Sequence, residues 1–250
     1  MILAILAFFA LLVALTSGAL ATTAGTIPDL GADRVKHIQS AIASGIAGLM
    51  LLIGVIATKP RGRLLGAVLV AVVAMLSWVP GGFLHALLAQ GLVAGAAALC
   101  VQVSDSWSRE PQLIQDYGWP SLRSLSFLLP ALIVIQIALG AAFRHQILGL
   151  IPHIVGAMLV AMFILMVGTF VLQQCKQHKT LLLWGRVLMG ATFLQVFLGI
   201  AAFVVRARPK TSAHGILMTA TSHVVVASLL LASSVVLGMH IRRHVTPKVG

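Results

Sequence analysis

The sequence predicts an all-α, polytopic membrane protein of about eight transmembrane helices, arranged as two halves of four. Three observations carry that reading. Of 250 residues, 60% are hydrophobic and only 9% are charged, whereas soluble domains carry about 25% charged residues. So few charges do not cover a water-exposed surface. The apolar residues fall in runs of the length needed to cross a hydrocarbon core about 30 Å thick, with no room left for a separate aqueous domain. The basic residues sit in short segments between those runs. That is the pattern of positive-inside topology, and it argues against nucleic acid as the reason for a net charge of +12.

Eight spans are read, at 2–21, 36–57, 64–79, 83–103, 122–143, 148–172, 181–205 and 213–241. Lys59, Arg61 and Arg63 mark the turn between the second and third. Pro80-Gly81-Gly82 divides the long run from Leu64 to Val103 into two helices, because Pro and paired Gly punctuate helices. Residues 104–121 carry Asp105, Arg109, Glu110, Pro111 and Asp116 and form the longest polar link. That link separates an N-terminal unit, 1–103, from a C-terminal unit, 122–245. The apolar stretch Ile2–Ala21 lacks the positive start of a signal peptide, so a retained first helix is expected. Cys100 and Cys175 are far apart and imply neither a disulfide framework nor a metal pair.

With the N-terminus inside, the inside set of basic residues is Lys59, Arg61, Arg63, Arg109, Arg123, Lys176, Lys179, Arg186, Arg242, Arg243 and Lys248. The outside set is Arg34, Lys36, Arg144, Arg206, Arg208 and Lys210. Eleven against six favours a multi-pass protein of a bacterial-type inner (plasma) membrane with both termini cytoplasmic.

Ionisable residues inside a membrane are costly and mark functional positions. Four histidines lie in or at the edge of even-numbered spans: His37, His85, His153 and His223. In the expected orientation the first three fall in the first turns from the outer face. His223 is about ten residues into its span, or ~15 Å at the helical rise, so either the eighth helix projects above the membrane or that group sits deeper. Imidazoles from facing helices suit the axial positions of haem iron, and helical bundles hold cofactors through such inward side chains. The residue four positions on is alanine in every case, Ala41, Ala89, Ala157 and Ala227, leaving room on the same helical face. Zinc or copper fits less well, since neither carboxylates nor thiolates cluster beside these histidines. His178, His240 and His244 fall at the basic inner ends and are expected to be solvated, while His145 suits a polar rim or a propionate contact. A local echo also stands out. Gln136-Ile-Ala-Leu-Gly140 in the fifth span and Gln195-Val-Phe-Leu-Gly199 in the seventh place Gln and then Gly near the helix end, where close packing and a hydrogen bond to a neighbour are expected.

These segments resemble the heme A synthase family. Gln136-Ile-Ala-Leu-Gly-Ala-Ala-Phe-Arg-His145, then Gly149-Leu-Ile-Pro-His153-Ile-Val-Gly-Ala157, resembles the family's fifth and sixth helices. Gln195-Val-Phe-Leu-Gly and Ser222-His223-Val resemble its seventh and eighth, and Leu84-His85-Ala-Leu-Leu-Ala-Gln90 with Ser104-Asp-Ser-Trp107 its fourth helix and exit. The resemblance implies two pseudo-symmetric four-helix bundles. It implies haem b held as a cofactor by His153 and His223, and haem O held as substrate by His37 and His85, with its C8 methyl oxidised to formyl. Where the family usually has Glu three residues before the second-helix histidine, this chain has Arg34; Asp33 is the nearest acid, and the loop cysteine pair of many members is absent.

Two functions follow as expectations. One is an oxidoreductase of heme A biosynthesis, receiving electrons from an unidentified donor, with cytochrome oxidase assembly partners or a second copy of itself. Asp33 would then assist proton movement, and Arg144, Arg206 and Arg208 would pair with haem propionates at the outer face. The alternative is a di-haem b electron-transfer subunit of a respiratory complex without haem O oxidation. A structural subunit without haem is a third class.

Overall fold

After residue 121 the chain runs through apolar segments whose buried positions recur every three or four residues, the period of a helix with one packed face. The computed structural model describes residues 2–24, 45, 48, 60–76, 82–116, 119–208 and 212–247. Its helices are α1 (Ile2–Ala24), α2 (Pro60–Leu76), α3 (Phe83–Gln102), the single turn α4 (Asp105–Ser108), α5 (Leu122–Arg144), α6 (Leu150–Gln174), α7 (Lys179–Ala207) and α8 (Ala213–His244). Among the described residues, α3, α5, α6, α7 and α8 are long and apolar enough to cross a membrane; α1 and α2 contain shorter apolar stretches. The predicted second span, 36–57, falls almost wholly outside the described residues, and His37 and Asp33 with it.

The last four long helices close a ring. α5 packs on α6, α6 on α7, α7 on α8, and α8 back on α5. Leu122, Leu125, Leu129, Ile133 and Ile137 line the inner face of α5 and meet Ile164, Val167, Val171, Leu181, Leu188, Leu237 and Ile241. Gly238 of α8 faces the Ser126 carbonyl of α5, and a Cβ there would lie 2.9 Å from that oxygen, which is the close backbone approach that small residues permit in lipid. Outward positions of α6 and α7, such as Met158, Met162, Phe193 and Phe197, are exposed and apolar, which is compatible with a multi-pass membrane protein.

The N-terminal helices join this ring through α3, which packs on α1, α2, α5 and α8, and through α1, which also packs on α8. Between α3 and α8, Ser228 Oγ donates to Gln90 Oε1 at 3.3 Å, with both residues buried. Ala97 packs with Ala232 and Val236 further along, so α3 and α8 run in the same direction. Gln90 and Ser228 are 138 residues apart, as are His85 and His223, which puts His85 at the same height as His223.

Helix ends account for the connections. α5 stops in a Schellman motif, with Ile147 N–H donating to Ala142 O at 2.8 Å, Gln146 N–H to Phe143 O at 3.1 Å, and Gln146 at φ 59°. The polar link is not a free tether. Ile114-Gln115 (β1) pairs in parallel with Val245-Thr246 (β2) beyond the end of α8. Arg243 donates to the Arg109 carbonyl and stacks its guanidinium 4.3 Å from the Trp107 ring. Arg123 donates to the carbonyls of Arg242 and Val245 at 2.9 and 2.7 Å. Trp107, Arg109, Ile114, Gln115 and Arg123 are thereby fastened to the end of α8.

Candidate functional site

The imidazoles of His153 on α6 and His223 on α8 face each other across the C-terminal ring, with centroids 6.3 Å apart and planes at 87°. His153 lies three residues after the start of α6, and His223 ten after the start of α8. The two meet because α8 begins about two turns, or ~10 Å, further out. The start of α8 therefore extends beyond the start of α6.

Each histidine is held by the helix that precedes its own. The Gln136 amide nitrogen on α5 lies 2.9 Å from His153 Nδ1 and donates to the His153 carbonyl at 2.8 Å. The Gln195 amide nitrogen on α7 lies 3.2 Å from His223 Nε2. One helical turn after each glutamine a glycine makes room for the ring: a Cβ on Gly140 would lie 2.8 Å from His153 Cε1, and one on Gly199 3.1 Å from His223 Cε1. Gly156, one turn beyond His153, clears the Gln136 amide in the same way. The echo in the sequence is thus a repeated cradle of Gln-x-x-x-Gly on one helix and His on the next. The expected hydrogen bond to a neighbour exists, and the neighbour is the histidine itself.

The cradle leaves polar atoms unspent. His223 Nδ1 and the amide oxygens of Gln136 and Gln195 are buried without hydrogen-bond partners. Orphaned buried polar atoms are costly and call for an explanation. The ring separation supplies one. Two imidazole–metal bonds of about 2.0 Å each, with roughly the half-width of each ring, place two centroids about 6 Å apart on opposite sides of one metal. Among the described residues no group of three or more His, Cys, Asp or Glu could hold a bare ion. A pair of imidazoles alone suits a metal that brings its own equatorial ligands, and the donor set fits a haem on that ground.

The other sequence-predicted residues are placed as follows. His85 is half-buried in the first turn of α3. Arg144, Arg206 and Arg208 lie at the same end of the helices as the His153–His223 pair. Arg144 donates to the Ala19 carbonyl at 2.7 Å, tying α1 to α5, and Arg206 sits 5.8 Å from the Phe143 ring. His145 follows in the turn, its pKa lowered by burial and then by the charge of Arg144.

His178, His240 and His244 depart from the solvated state expected of them. His178 and His240 are only 4% and 9% exposed. The ring of His244 lies 4.3 Å from that of His178 and 5.9 Å from that of His240, which in turn meets Trp107 at 5.5 Å. The fastened link covers them, and His244 Nδ1 is 3.0 Å from the Gln112 carbonyl. His178 caps α7, its Nδ1 accepting from Leu181 N–H at 3.2 Å. Its pKa is lowered by burial first and by His244 second.

No protein-family model matches this chain, and no curated protein matches it.

Proposed function

We propose that the chain is a membrane haem protein of the heme A synthase type, with haem b held between His153 and His223. The observation that carries this reading is the facing pair of imidazoles 6.3 Å apart, each set in its own Gln–Gly cradle. When bound, a haem there supplies one-electron transfer. The residues of the chain do the rest. Gln136 and Gln195 would fix the rotation of the two rings by turning their amide oxygens, buried without a partner, to the N–H that each ring carries opposite a bound metal. Gly140 and Gly199 leave the clearance that lets the rings seat, and buried Ile133, Ile137 and Ala141 make the α5 side of the site apolar.

In this reading haem O is the substrate, received in the N-terminal half through His37 and His85, and its C8 methyl is converted to formyl. Eight spans in two four-helix bundles are part of the proposal. The equal heights of His85 and His223 support it, since they set the two halves side by side for electron transfer. Asp33 is the proposed proton-handling acid, four residues before His37, and Arg144, Arg206 and Arg208 the propionate-facing cations. A second reading, a di-haem b electron-transfer subunit, is favoured by one specific observation: Arg34 stands where the resembling family carries Glu.

Extraction of haem from the purified protein, with the types separated by mass, tests both. Haem O or haem A beside haem b supports the enzyme. Haem b alone in two equivalents supports the electron-transfer subunit. A protein purified from haem-replete cells without any haem removes both readings.

A further inference from the structure

At the opposite end of the ring from the histidine pair, α5 and α8 border an open, shallow cleft of about 480 Å³ lined by Arg123, Ser124, Phe127 and Arg242. We propose that this cleft binds the phosphate headgroup of an acidic phospholipid. The site is polar at its mouth and apolar one turn further along. The Arg123 guanidinium is held in place by the Arg242 and Val245 carbonyls, while the Asp116 carboxylate is engaged by the Arg123 backbone N–H at 3.4 Å and the Ser121 hydroxyl at 2.8 Å. Arg242 lines the same cleft with a second guanidinium, and Ser124 adds a hydroxyl. Two guanidiniums and a hydroxyl match the oxygens of a phosphodiester, which accepts paired N–H donors.

The source of that phosphate follows from what lies beneath it. Phe127, one turn after Arg123 on the same face, is 69% exposed, and the outward stripe continues through Leu128, Val134 and Ile135. This stripe extends about 18 Å from Arg123 to Ile135 at the helical rise, a track for an acyl chain. A free phosphate has no use for it. The cleft also lies at the end of the helices that carries Lys176, Lys179, Arg186 and Arg243. Basic pockets between helices at such an end are where anionic headgroups collect.

The test is native mass spectrometry of the purified full-length protein in detergent, with phosphatidylglycerol, phosphatidylcholine of the same chains, or inorganic phosphate added. The wild type is expected to retain one phosphatidylglycerol under activation that strips phosphatidylcholine. Arg242→Gln should lower that retention about fivefold, the weight of one basic group at an anionic surface, and Arg242→Lys should lower it less. Arg123 grips the backbone carbonyl of Arg242, so this substitution leaves that hydrogen bond in place. Phe127→Ala should weaken phosphatidylglycerol retention as well. Equal retention of the two lipids, or unchanged retention in Arg242→Gln, would overturn the proposal. Full displacement of phosphatidylglycerol by inorganic phosphate would overturn the lipid assignment in favour of a phosphate site.

Discussion

The two ends of the C-terminal ring are both rich in histidine and use it in opposite ways. At one end two rings stand 6.3 Å apart at right angles, each beside a glycine and each held by a glutamine of the preceding helix. At the other, three rings crowd to 4.3 and 5.9 Å, with Trp107 against His240 and the link folded over them. The difference teaches that a cluster of histidines is not by itself a ligand site. In the trio His178 and His244 approach to 4.3 Å, too close for a metal between them, and His240 and His244 stack nearly parallel at 23° with Trp107 against His240.

The sharpest way to break the comparison is to remove one ring at each end. His153→Ala or His223→Ala is expected to abolish bound haem b, read as low-spin haem absorbance per folded protein. His240→Ala should lower stability and leave haem content unchanged. Equal haem loss at both ends would erase the distinction. Filling the clearance comes next. Gly140→Ala, whose Cβ would come closer to its histidine than that of Gly199→Ala, should cost about 1–3 kcal/mol as overpacking does, with Gly199→Ala smaller. Thermal unfolding midpoints check the order.

A smaller effect separates the two glutamines. Gln136 serves both the ring and the carbonyl of His153, so Gln136→Leu should cost about 1 kcal/mol, the upper part of the range for polar contacts between membrane helices. Gln195→Leu, with the single contact to His223, should cost less, and an equal loss would contradict the asymmetry. The mildest probe is pH. The pKa of His178 is lowered in the folded protein, so the unfolded chain binds the proton more readily. Stability contributed by the neutral ring is complete above the ordinary value of 6.5 and is lost as pH falls below it. Unfolding midpoints from pH 8 to pH 5 should decline in the wild type and decline less in His178→Gln, whose amide can still cap α7.

Much of this was legible along the chain, and the rest was not for a physical reason. The helices that begin at Leu122, Lys179 and Ala213 are bounded by Pro, Gly and basic residues, and apolar runs between such markers fold as helices almost to their ends. His153 and His223 stand out because imidazole is costly in lipid. The Gln–Gly echo is visible too, but its partner is not. Gln136 and His153 are 17 residues apart, Gln195 and His223 28, because the two helical hairpins differ in length. No fixed spacing links them. The burial of His178 and His240 depends on contacts such as His244 with Gln112, 132 residues apart, which helical periodicity does not encode.

One helix sets the order in which the molecule can be finished. α8 packs on α1, α3, α5 and α7, yet the ribosome makes it after all of them. Until it arrives, Gln90 has no Ser228 to receive a hydrogen bond from, and the inner stripe of α5 lacks Leu237 and Ile241 to pack on. The packing that joins α1 and α3 to α5 and α7 through α8 therefore waits until α8 has been translated, and a chaperone guarding the nascent protein would have α3 and α5 to shield in the interval.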